Sequence, residues 1–274
     1  MATINLLSID WDYFFNIHSD GERMECFQAI CTEDYDAGDI NFAWTASYAR
    51  FEDKLKNIKI TPEIRVVLDS IPPSSVVYVC KSHRHAYEIF NRYVRRKDKV
   101  NLLNIDHHPD AYDGFNRREK VHCGNWLSHF MAEHDAKGNV YRWLADFASS
   151  THCPKNLQFY NDIEKTDIRS TPWNVVVIAR SDIWTPPHLD EEFINYFKPV
   201  LKNRKGKLIT EDGVWRSRYS EVFIDVVNCL KNPEFKSSIY SDDECVKIKK
   251  KYLHYLEMVE MFKERELRTY LTVK

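Results

Sequence analysis

Short continuous apolar runs, each followed by ionisable residues, constrain this chain more than any other feature. Residues 4–9 (INLLSI), 75–80 (SVVYVC), 100–105 (VNLLNI) and 173–178 (WNVVVI) have the length of strands and favour β-branched and aliphatic side chains. Their hydrophobicity is continuous rather than alternating, which suits strands covered on both faces. Helix signals fall between them. Thr61-Pro62-Glu63 offers a cap, a proline and an acid in the order a helix start prefers, Gly124-Asn125 opens a helical pattern over 126–134, and Pro186-Pro187 precedes another reaching Phe197. Strands alternating with helices predict an α/β fold with a mainly parallel sheet.

The 274 residues, 43% hydrophobic, are enough for one domain with a substantial core, expected to span 1–274. Lys+Arg 39 against Asp+Glu 41 gives a net charge of -2, so no general field favours nucleic acid or an anionic membrane. The basic runs at 92–97 and 247–251 read as solvated faces. The opening MATINLLSID has no basic leader, and no run approaches the roughly 20 apolar residues that span a bilayer. A cytoplasmic protein without membrane partners is expected. Cys26, Cys31, Cys80, Cys123, Cys153, Cys229 and Cys245 are scattered without a C-x-x-C pair, which favours idle thiols over disulfides or a zinc site. No glycine-rich phosphate loop occurs. Residues 241–271 have helical period, with Leu253, Leu256, Met258, Val259, Met261 and Phe262 as an apolar stripe.

The chemistry collects where the apolar runs stop. Asp10 and Asp12 follow the first, His83 and His85 the second, and Asp106, His107, His108 and Asp110 the third. In a parallel sheet the carboxyl ends of all strands share one edge, so segments remote in sequence can converge there. Residues two apart on extended chain face the same side, which lets Asp106, His108 and Asp110 address one centre, and Asp10 and Asp12 likewise. Oxygen-rich ligands with one or two imidazoles suit Mn²⁺, Fe²⁺ or Zn²⁺, and several carboxylates exceed what one catalytic zinc uses. Two ions fit that count better.

The D-x-H-x-D pattern at Asp106, His108 and Asp110, with an upstream histidine and an S-x-D-x-D segment at Ser8 to Asp12, resembles the ureohydrolases, the arginases and agmatinases. The blocks SIDWDYFF, KSHRHAY, NIDHHPD and CGNW look more closely like the divergent arginase-like family that includes peptide arginases of ribosomal-peptide natural-product pathways. Those enzymes convert arginine side chains of a precursor peptide to ornithine, releasing urea. The resemblance implies a three-layer α/β/α fold and two manganese ions per chain. One ion would be held by His83, Asp106, Asp110 and Asp10, and the other by His108, Asp106, Asp10 and Asp12. His85 is the rival to His83, and His107 is expected to point away. In ordinary arginases the S-x-D-x-D strand follows the other two motifs, whereas here it precedes them, which implies a circularly permuted arrangement.

On the same resemblance Asp110 both ligates and relays the proton of the nucleophile, and His122 is a candidate shuttle to the leaving amine. Asp182, just past residues 173–178, is the candidate acceptor for the substrate guanidinium, with Trp184 to stack on its plane or wall the pocket. The charged stretch 241–271 is available to dock a leader peptide. Rival readings are hydrolysis of free arginine, agmatine or a guanidino acid, a zinc deacetylase-like hydrolase, and a non-catalytic binding protein stabilised by metal.

Overall fold

The computed structural model describes residues 2–17, 37–111, 119–135, 137–145, 156–202 and 206–231. Cys26, Cys31, Cys153, Cys245, the side chain of Cys229 and the stretch 241–271 lie outside the described residues. In chain order the elements are β1 (Thr3–Asp10), α1 (Ala37–Lys56), α2 (Glu63–Ser70), β2 (Val76–Cys80), α3 (His85–Asn91), β3 (Lys99–Ile105), α4 (Trp126–Glu133), β4 (Val140–Leu144), β5 (Leu157–Tyr160), β6 (Val175–Ala179), α5 (Asp190–Lys202), β7 (Leu208–Thr210) and α6 (Glu221–Leu230).

The four apolar runs became β1, β2, β3 and β6, each within two residues of the expected bounds. Together with β4, β5 and β7 they form one sheet in the order β5-β4-β3-β1-β6-β2-β7, and every pairing is parallel. Continuous hydrophobicity has its reason here: alternate residues of each strand feed opposite cores. Leu7, Ile9, Leu103, Ile105, Val176 and Ile178 pack with Trp44 and Tyr48 of α1, Val67 of α2, Phe193 of α5 and Phe223 of α6. Leu6, Leu102, Val175 and Val177 pack on the other side with Phe90 of α3 and Trp126 and Phe130 of α4. Helices therefore cover both faces of an α/β sheet. Pro62 precedes α2 rather than opening it, and the helix after Pro186-Pro187 runs past Phe197 to Lys202.

Adjacent strands in register set the site. β1 lies between β3 and β6, with Ile9 beside Ile105 and Asp10 beside Ala179. The chain therefore leaves β1, β3 and β6 side by side at one edge, where ligands bind in parallel α/β sheets. No described helix is long and apolar enough to cross a membrane.

Candidate metal centre

The carboxyl edge gathers residues from three segments around one imidazole. His83 Nδ1 lies 3.1 Å from Asp10 Oδ2, 3.0 Å from Asp106 Oδ2 and 2.9 Å from Asp110 Oδ2. Its other nitrogen, Nε2, is 2.5 Å from Ser8 Oγ. Two groups of three have ligand atoms close enough to hold a metal ion: Asp10, His83 and Asp106, all buried, and Asp12, Asp106 and half-buried His108. Asp106 belongs to both. The structure thus brings all six expected ligands to one edge, with Asp110 against His83. His83 takes the central place. His85, its rival, instead sits 3.5 Å from Glu211 on the far side of β2 from β1. His107 is buried 6.1 Å from the Tyr13 ring and joins neither group.

Local structure explains each position. Asp10 ends β1 and caps the short 3₁₀ turn Trp11–Phe14, its Oδ1 accepting from Asp12 N at 3.2 Å, so that both acids stay at the strand end. Its Oδ2 also accepts from Ser181 Oγ at 2.5 Å. Asp106 Oδ1 accepts from His108 N at 2.8 Å, an Asx turn that bends the chain just past β3. Asp110 is gripped by the start of α4: Trp126 Nε1 donates to its Oδ2 at 2.5 Å and Leu127 N to its carbonyl at 2.9 Å. That contact gives the CGNW block its role. Asp110 and Ser181 have φ of 50° and 51°, left-handed backbone that costs a non-glycine residue energy and persists where surroundings fix it.

Electrostatics favour a cation. Burial, then the negative charge of Asp110, pushes the Asp106 carboxyl up to about 8, and burial likewise raises Asp110. Burial opposes charging His83, but Asp110 and Asp10, with a hydrogen bond to Asp106, outweigh it and hold the imidazole well above its ordinary value. Among the described residues, no lysine or arginine pairs with Asp10, Asp106 or Asp110; the basic atoms against them belong to His83 and His108. Buried carboxylates whose only basic partners among the described residues are imidazoles leave the negative charge under-compensated, which a divalent ion would correct. The donor set of carboxylates and imidazoles, with no thiolate, fits such an ion.

The expected substrate residues fare differently. Asp182 follows β6 as expected, but it is not an open acceptor. Arg180 Nε donates to its Oδ1 at 2.5 Å and Arg180 Nη2 to its Oδ2 at 2.8 Å, a bidentate fork that occupies both oxygens. The competing guanidinium stands two residues earlier, across the left-handed turn at Ser181 that brings the two side chains together. Trp184 is half-buried, with its ring 5.4 Å from that of His108. His122 is half-buried, its Nδ1 accepting from Gly124 N at 3.2 Å and its Nε2 3.6 Å from Glu119. A cavity of about 300 Å³ is bounded by Lys81, Arg180, Asp182, Arg216 and Arg218, among others, and by none of the six ligands.

Sequence reasoning missed Ser8, Ser181 and Trp126 as supports of the ligands. Serine and tryptophan carry no spacing signature for that role, although Ser8 lies inside the S-x-D-x-D block that drew attention to Asp10. Comparisons with protein-family models, curated proteins and solved structures found no match.

Proposed function

We propose that this protein is a dinuclear manganese hydrolase acting on the guanidinium of arginine side chains in a precursor peptide, giving ornithine and urea, on a circularly permuted arginase-like scaffold. The observation that carries the reading is the pair of ligand groups sharing Asp106, assembled from the ends of β1 and β3 and the turn after β2. A shared carboxylate between two groups of donors is what a two-ion site requires. His83, Asp10, Asp106 and Asp110 would hold one ion, and Asp12, His108 and Asp106 with Asp10 the other. Ions held there would lower the pKa of bound water toward neutrality.

The chain's own groups supply the rest. Asp110, buried against His83, is the group placed to take the nucleophile's proton, and Trp126 keeps its Oδ2 aimed at the centre. His122 would carry a proton to the departing amine. The guanidinium enters along His108 and Trp184, where an indole face can stack on its plane. The Asp182 carboxylate is spent on Arg180, so its part is to shape the entrance rather than to grip the substrate.

Hydrolysis of a small guanidino acid is a second reading: Arg216 on the cavity wall offers a cation to a carboxylate, while Lys81 there is paired with Glu211. Manganese-loaded protein incubated with an arginine-containing peptide, free arginine and agmatine separates the two. Urea from the peptide with loss of the amidino mass supports the proposal, and urea from free arginine alone replaces it with the second reading. Bound metal with no urea from any of the three leaves a metal-stabilised binding protein, and one zinc ion with cleavage of acetyl-lysine a deacetylase-like enzyme.

A further inference from the structure

We propose that Ser8 and Asn104 act as positioning residues that fix which nitrogen of His83 carries its proton, and so reserve Nδ1 for metal. The inference rests on the metal centre proposed above but not on any substrate or reaction. His83 Nδ1 faces oxygens of Asp10, Asp106 and Asp110 within 3.1 Å. As a ligand it must offer its lone pair, so the single proton of the neutral ring belongs on Nε2. Ser8 Oγ stands 2.5 Å from Nε2 and accepts that N–H. A metal-binding imidazole held through its second nitrogen in this way has its ring orientation set by the partner.

The chain of donors then needs one more member. Ser8 is fully buried, so once its oxygen accepts from His83 its own O–H must find an acceptor inside the protein. Asn104 is Ser8's register partner on β3, and both side chains face the core that contains Leu6 and Leu102. Asn104 is also fully buried, and neither its Oδ1 nor its Nδ2 has a hydrogen-bond partner among the described residues. An apolar residue would fit that core without this cost, so a carboxamide there calls for an explanation. Accepting the Ser8 O–H, directly after a side-chain rotation or through one buried water, supplies it.

The test uses the full chain. ¹⁵N NMR of histidine-labelled protein loaded with Zn²⁺ as a diamagnetic probe reads the tautomer, and calorimetry with Mn²⁺ reads affinity. The expected wild-type result is a protonated Nε2 on His83. Ser8→Ala and Asn104→Leu should each weaken Mn²⁺ binding by about 10- to 100-fold, and Ser8→Thr should restore it. A proton on Nδ1 of metal-loaded His83, or wild-type affinity in either variant, overturns the inference while leaving the metal centre standing. A wild-type chain that binds no divalent ion removes both. If Asn104→Leu does not fold, the contrast of Ser8→Ala with Ser8→Thr, read with the wild-type tautomer, decides.

Discussion

Two buried clusters of charge meet at the loop after β6, one residue apart, and they are balanced in opposite ways. Ser181 holds Asp10 of the candidate metal centre, while its neighbours Arg180 and Asp182 belong to a second network. In that network Asp190 receives Arg218 Nε at 2.8 Å and Nη2 at 2.6 Å, and Arg180 grips Asp182. Four further guanidinium N–H groups go to the carbonyls of Val214, Arg216, Asp182 and Thr185. Two acids meet two guanidiniums, and every guanidinium nitrogen has an acceptor. In the first cluster Asp10, Asp106 and Asp110 converge on a single imidazole nitrogen. A self-neutralised network serves the fold; a buried acidic cluster that pairs with no lysine or arginine among the described residues could hold a cation.

Breaking the paired network should damage the fold and spare metal binding. Asp190→Ala leaves Arg218 without its carboxylate and should cost about 3–5 kcal/mol in denaturant unfolding, with Mn²⁺ affinity of the folded fraction unchanged. A loss of metal binding equal to that of a ligand variant would erase the distinction between the two clusters.

Metal should act on one cluster alone. Mn²⁺ at about 100 times its dissociation constant should add about 2.7 kcal/mol to wild-type stability, and nothing in Asp106→Ala, because Asp106 belongs to both ligand groups. Thermal melts at matched concentrations check this. Equal stabilisation of variant and wild type would place the ion elsewhere.

The same variant position separates function from stability when metal is absent. Asp106→Asn removes one of several crowded buried carboxylates but keeps the side chain's size, so the metal-free variant at pH 8 should be about 1–2 kcal/mol more stable than metal-free wild type. Destabilisation on chelation-treated protein would mean that Asp106 is part of a satisfied structural network after all.

How far these two clusters were legible in the sequence follows from their chemistry. Asp10, Asp12, Asp106, His108 and Asp110 stood out because ionisable residues rarely follow apolar strands without a purpose, and the parallel sheet that the same runs imply brings strand ends together. The edge strands β5 and β7 were not visible, being short and part-exposed, with burial too patchy to leave a continuous run. The paired network was invisible for another reason. Arg218 meets Asp190 across 28 residues, and nothing near either marks the partner; Asp182 looked available because the left-handed turn at Ser181, which folds Arg180 back onto it, leaves no mark in the sequence. Spacing reveals residues that share a strand end; it does not reveal which charge another segment will neutralise.

Histidines sharpen the contrast at the smallest scale. His83, among carboxylates, is held toward its charged form, whereas His188, next to the paired network, has its pKa lowered to about 4 by burial and then by Lys59 and Lys56. His188 Nδ1 bonds the Tyr48 hydroxyl. In the unfolded chain an imidazole titrates near 6.5, so between that value and about 4 the unfolded state binds the extra proton and the folded state does not. The contribution of His188 to stability is therefore whole above about pH 6.5 and falls as pH drops, by roughly 1 kcal/mol in the first unit of pH. His188→Asn keeps an acceptor for Tyr48 but cannot titrate. Its unfolding free energy should decline less steeply than wild type from pH 6.5 to 5.5, measured on metal-free protein so that His83 contributes equally to both. Parallel slopes would mean that His188 is already protonated in the folded protein, and that the region around Asp190 holds more negative charge than its pairing with Arg180 and Arg218 allows.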